Sequence, residues 1–98
     1  MIKLPKQRMR VDALSYIKTH VERPASIEWL RKAFRETPHL VPPIGLVHQG
    51  KHYKLHDGNH RLTVARELGL ETIEVVIEFP ALTELARNDV RFAHPGAR

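Results

Sequence analysis

Between Pro43 and Phe79 the chain alternates strand-like and helix-like patterns punctuated by glycines, and this run limits the possible folds more than any other feature. "PIGLVHQ" and "HYKLHD" flank Gly50-Lys51, and Tyr53 and Leu55 alternate with Lys54 and His56, which is the pattern of a β-hairpin. Gly58 breaks the second strand. Leu62, Ala65 and Leu68, with Val64 beside them, mark one face of a helix over roughly 60–68. Gly69 is placed to end that helix in a left-handed conformation. "ETIEVVIEF" (71–79) is a β-branched run that reads as a strand, stopped by Pro80.

Upstream, "RMRV" (8–11) reads as a short strand, with Asp12 as a helix cap. Leu14, Ile17 and Val21 recur at helical spacing, so a short helix is expected over 13–20. "ERPAS" breaks it. A second helix, capped by Ser26, carries Ile27, Leu30 and Phe34 on one face with Trp29 and Ala33 beside it. Pro38 ends it, and "PHLVPP" reads as an extended connector. "ALTELARN" is expected to be a short final helix. The organisation expected is a basic arm over 1–7, one α+β domain with a mixed sheet over 8–89, and a tail over 90–98.

Ninety-eight residues correspond to one domain with a small core and a shallow site. With no cysteine, disulfides, zinc-thiolate centres and thiol chemistry are excluded. No run approaches the ~18 apolar residues of a membrane span, and no signal peptide is recognisable, so a cytoplasmic location fits. A net charge of +5 favours an anionic partner, although a solvated basic surface explains it as well. Lys3, Lys6, Arg8 and Arg10 crowd the start of the chain, as nucleic-acid-binding arms often do.

The turn "DGNHR" (57–61) places His60 and Arg61 in the first turn of a helix, where the dipole disfavours cations. A phosphate bound there would account for them. Strand, glycine, helix is a common anion cradle, because the first amides of the helix point outward. Gly58 would let a ligand approach the backbone. Asn59 would cap the helix and leave the amides of His60, Arg61 and Leu62 to the phosphates. Arg61 can fork two phosphate oxygens, and His60 can donate a hydrogen bond. Asp57 can hold a divalent cation or take a proton from an attacking hydroxyl. The plainer reading is a routine Asp-Gly turn and a routine cap, with Arg61 paired to Asp57 or a surface glutamate.

At these residues the sequence resembles a known family. "VPPIGLV…GKHYKLHDGNHRLTVARELGLETIEVVI" is similar to the ParB/sulfiredoxin superfamily, also labelled ParB-like nuclease. "MRVDAL" and "SIEWLRKAF" resemble its opening strand and next helix, so the resemblance spans about residues 8–79. It implies a small mixed sheet with a strand-turn-helix phosphate cradle, and a bound nucleotide (CTP or ATP/ADP, with magnesium). Gly58, Asn59, His60 and Arg61 would hold the phosphates, Asp57 and His60 would be the catalytic candidates, and the connector before Pro43 would lie near the base or sugar. Asn59 stands where sulfiredoxins carry their nucleophilic cysteine, which excludes sulfinic-acid reduction. Partition proteins have Glu-Arg-Arg in place of Asn59-His60-Arg61 and continue into further domains that 98 residues cannot contain. The Asp-Gly-x-His-Arg form is most similar to the free-serine-kinase branch. That branch implies a catalytic glutamate, for which Glu22, Glu28 and Glu36 are candidates.

His48, His52, His56 and His60 recur at intervals of four, but on a hairpin and a turn, where that spacing does not gather ligands, so no metal site is assigned. Trp29 and Phe34 fit core packing better than base stacking, and Glu71 and Glu74 fit a solvated surface. The main expectation is therefore a nucleotide-binding domain whose chemistry, if any, is phosphotransfer or nucleotide hydrolysis. The alternative is a basic module or ParB-like nuclease contacting DNA or RNA through Lys3, Lys6, Arg8 and Arg10. A third is a protein-interaction domain with a degenerate site.

Overall fold

The computed structural model describes residues 2–80; the expected final helix and tail lie outside the described residues. Strand β5 (Thr72–Phe79) organises the sheet. It runs parallel to β3 (Ile44–Gln49), which forms an antiparallel hairpin with the edge strand β4 (His52–Asp57). On its other side β5 pairs antiparallel with two short pieces, β1 (Ile2–Lys3) and β2 (Gln7–Arg10). Lys3 lies opposite Glu78 and Gln7 opposite Val75, so the edge gains a residue around Pro5, which has no N–H to give the ladder. The first residues are thus part of the sheet rather than only an arm.

Ile73, Val75 and Ile77 alternate to one face of β5 and are buried with Ile44, Leu46, Leu62 and Ala65. Helix α2 (Asn59–Glu67) lies on that face and turns Val64 outward to helix α1 (Pro24–Glu36). Val64 packs there with Ile27, Leu30, Ala33 and Val41. The order of layers is sheet, α2, α1. Phe34 touches both apolar clusters. Gly69 has φ 68° and closes α2 as expected: Leu70 N–H bonds Ala65 O at 3.0 Å and Gly69 N–H bonds Arg66 O at 3.1 Å, a Schellman motif.

The region before α1 departs from expectation. Residues 13–20 do not form an α-helix; a single 3-10 turn covers Val11–Leu14, with Arg10 at its cap position. The Asp12 carboxylate is not a cap, because the Arg10 guanidinium holds both its oxygens, at 2.9 and 2.6 Å. Leu14 and Ile17 reach the core, but Val21 is exposed. The segment is drawn instead across the start of α2, as described below. Nor does Ser26 cap α1. That helix begins with Pro24 at its first position, where a missing N–H costs nothing, after Arg23 as cap. The connector "PHLVPP" is only partly extended, since Pro38–Leu40 forms another 3-10 turn.

Candidate functional site

Gly58 joins β4 to α2 with φ 108°, a conformation that side chains resist. A Cβ there would lie 2.6 Å from Ile44 Cγ2. The glycine therefore lets the turn press against β3; the space a side chain would fill belongs to Ile44, not to a ligand. Gly58, rather than Asn59, occupies the cap position, and its carbonyl accepts the Leu62 N–H at 2.9 Å. The amides without an intrahelical acceptor are consequently those of Asn59, His60 and Arg61, one residue earlier than expected.

The three side chains of this first turn are engaged by the chain itself. Asn59 clasps the backbone of His20: its Oδ1 accepts the His20 N–H at 2.9 Å and its Nδ2 donates to the His20 carbonyl. His60 Nε2 accepts the N–H groups of Glu22 at 3.1 Å and Arg23 at 3.2 Å, which is a neutral-ring role and not that of a cation. Arg61 donates through Nη1 to the carbonyls of Pro42 at 3.1 Å and Pro43 at 2.6 Å, and its Nη2 forms an ion pair with Asp57 Oδ2 at 3.0 Å. Arg61 is thus a clamp between the connector and the end of β4. Its pairing with Asp57 is the plainer of the two sequence readings.

Around this turn opens a cavity of about 550 Å3. Its floor is His56, Asp57, Gly58, Asn59, His60 and Arg61; Lys18, His20 and Glu22 come from the segment ahead of α1, and Ser26, Trp29 and Leu30 from α1. Asp57, Gly58, Asn59, His60 and Arg61 therefore line one space, and Leu62, whose amide was also expected at the phosphates, does not. Of the candidate glutamates only Glu22 is there; Glu28 and Glu36 line a separate groove on the outer side of α1. A hydrogen bond from His20 and that ring's charge hold the Glu22 carboxyl below its ordinary range. Trp29, assigned to the core by its helical spacing, is 64% exposed and forms part of the wall. The pattern missed it because position 29 falls between the buried positions 27 and 30, on the flank of α1 that borders both this pocket and the outer groove.

The other signals fall elsewhere. His48 stacks on Phe79 and meets the edge of Tyr53, and His52 tilts against Tyr16. Among the described residues no group of three His, Asp or Glu side chains gathers as a metal would require. The N-terminal cations face carboxylates of β5 and its approach. Lys3 lies 3.6 Å from Glu78, Lys6 3.4 Å and Arg8 3.9 Å from Glu74, and Arg10 3.9 Å from Glu71. Glu74 is accordingly a paired residue rather than plain surface. Among the described residues no helix is long and apolar enough to cross a membrane.

No family model and no curated protein matches the chain. Solved structures do. A sulfiredoxin from Arabidopsis thaliana superposes with a TM-score of 0.66 at 20% identity over 90% of this chain and 99% of that one. The C-terminally truncated chromosome-partitioning protein ParB from Caulobacter crescentus, complexed with CTP-gamma-S, gives 0.60 at 18% identity over 81% of this chain and 47% of that one. A Pnob8-like ParB-N domain gives 0.58 at 20% identity, with 100% and 40% covered. The chain therefore has the ParB/sulfiredoxin-like α+β fold, and it spans less than half of either ParB chain.

Proposed function

We propose that the cavity at the start of α2 binds a nucleotide, with its phosphates against the amides of Asn59, His60 and Arg61. The observation that carries this is the meeting of outward amides and a 550 Å3 space at one turn, on a fold whose ParB neighbour was solved with CTP-gamma-S. The side chains of the turn hold the rim of the pocket in place, so the phosphate contacts fall chiefly to the backbone. Asp57 and Glu22 are both exposed carboxylates on the lining, paired with Arg61 and His20, and would offer their remaining oxygens to a magnesium ion carried in with the nucleotide. Phosphotransfer or nucleotide hydrolysis would use Asp57 as the proton acceptor, since His60 Nε2 is committed to Glu22 and Arg23. Backbone contact with DNA or RNA is less well supported, because Lys3, Lys6, Arg8 and Arg10 each lie beside a carboxylate.

The test is a thermal-shift panel of CTP, ATP, ADP and GTP, each with and without magnesium, on the wild type and on Asn59→Asp. That variant keeps an oxygen for the His20 N–H and suits the helix dipole, gives up the bond to the His20 carbonyl, and sets a negative charge where phosphate would sit, so its nucleotide-free midpoint is read first to check that it folds. A nucleotide at ~100 times its dissociation constant adds about 2.7 kcal/mol, raising the midpoint by roughly ten degrees in a domain of this size. The shift should vanish in Asn59→Asp. No shift with any nucleotide, or one undiminished in the variant, would sink the proposal.

A further inference from the structure

A large aromatic side chain left in solvent is uncommon, and more informative when it borders a cavity. Trp29 is the only tryptophan of the chain and stands 64% exposed on the wall of the pocket. Its exposure does not come from a poorly packed helix. Ile27, Leu30 and Ala33 of the same helix are buried against Val64 of α2, so α1 is seated and Trp29 is held on the side turned from that contact. Ser26 lies one turn before it on the same side and also lines the pocket. Opposite stands the first turn of α2. The pocket thus has a polar end, where the amides and Arg61 lie, and a flat apolar wall.

Resting on the nucleotide reading above, we infer that Trp29 is the platform on which the base stacks, while the phosphates lie at the α2 end. This assigns the base to α1 rather than to the connector before Pro43. The connector is not part of the pocket lining, and its Pro42 and Pro43 carbonyls are taken by Arg61. Beside Trp29, α1 itself gives the pocket only one polar side chain, the Ser26 hydroxyl, and the apolar Leu30. The ligand class is therefore a nucleoside di- or triphosphate held by stacking, which any base can satisfy.

Because the indole is unique, its fluorescence reports on the site directly. The experiment titrates ATP, CTP and inorganic triphosphate into the wild type, Trp29→Phe and Trp29→Ala, reading tryptophan emission in the wild type and heat in all three. Far-UV circular dichroism checks that the variants fold; an exposed helical position tolerates alanine well. Both nucleotides should quench the wild-type emission, and triphosphate should bind with heat but little quenching. Trp29→Ala should weaken both nucleotides by about tenfold or more and leave triphosphate unchanged, while Trp29→Phe retains most of the affinity. Nucleotide heat without quenching, or with equal affinity in Trp29→Ala, would overturn the stacking assignment and leave the pocket standing. Triphosphate heat without nucleotide heat would do the same. No heat from any of the three ligands would overturn the pocket assignment itself, and the platform with it.

Discussion

A methyl group added at residue 58 would collide with Ile44 of β3 while forcing φ 108° on an L side chain, so two independent costs fall on one substitution. Gly58→Ala should lose about 2–4 kcal/mol of stability, the sum of left-handed strain and overpacking. Chemical denaturation reads this directly, and a loss under 1 kcal/mol would mean that the turn relaxes away from β3 at little cost. Arg61 next to it shows how a cation tolerates the positive end of a helix. It turns to the Asp57 carboxylate four residues back and to the carbonyls of Pro42 and Pro43, so its charge is compensated before any ligand arrives. His60 avoids the conflict differently, by presenting a lone pair to two amides. Neither solution was legible locally. The motif was, and so was the Asp57 pairing, but the partners at Pro42, Glu22 and Arg23 are far along the chain.

Among the elements, the segment between the Val11–Leu14 turn and α1 matters most to the site, because it supplies Lys18, His20 and Glu22 to the pocket. Its own apolar spacing suggested a helix. What holds it is a set of bonds to α2 through Asn59 and His60, together with the Tyr16 hydroxyl, which accepts the Tyr53 N–H at 2.6 Å. In His60→Ala the amides of Glu22 and Arg23 lose their acceptor. Hydrogen exchange at those two amides should speed up severalfold or more while Leu62, bonded within α2, keeps its protection, and global stability should fall by about 1–2 kcal/mol. Unchanged exchange at 22 and 23 would show that His60 does not hold the segment. The hairpin, α2 and β5 were legible because their signals are local: alternation, a glycine at each turn, and a cap within a few residues.

At the scale of the fold, carboxylates paired with basic partners set the response to acid, and one such pair also ties α1 to α2. Arg31 of α1 bonds both carboxylate oxygens of Glu67 at the end of α2, and that hydrogen bonding holds the Glu67 carboxyl below its ordinary range. Asp12, hydrogen-bonded by Arg10, and Glu22, hydrogen-bonded by His20, are lowered likewise. A carboxyl lowered on folding contributes stability above its unfolded value, near pH 4, and that contribution is lost as pH falls through the folded value. The thermal midpoint should therefore be level above about pH 5 and fall below it, less steeply at high salt because these pairs are exposed. In Glu67→Gln the fall should be shallower. An identical pH profile in that variant would remove Glu67 from the account.

By itself the sequence determined the hairpin, the glycine turn into α2, its Schellman end and the strand β5, together with the resemblance that anticipated the ParB/sulfiredoxin-like fold. Each depends on backbone geometry within a few residues, where side-chain type and spacing act directly. Only the tertiary structure decided that Trp29 faces a cavity, that the segment before α1 is a strap rather than a helix, and that Lys3, Lys6 and Arg8 lie against the acidic face of β5. A helical pattern shows which face is apolar but not what the flank beside it meets, and a charge in sequence does not reveal its partner. Those outcomes were set when α1 docked on α2 and β5 entered the middle of the sheet, joining residues tens of positions apart.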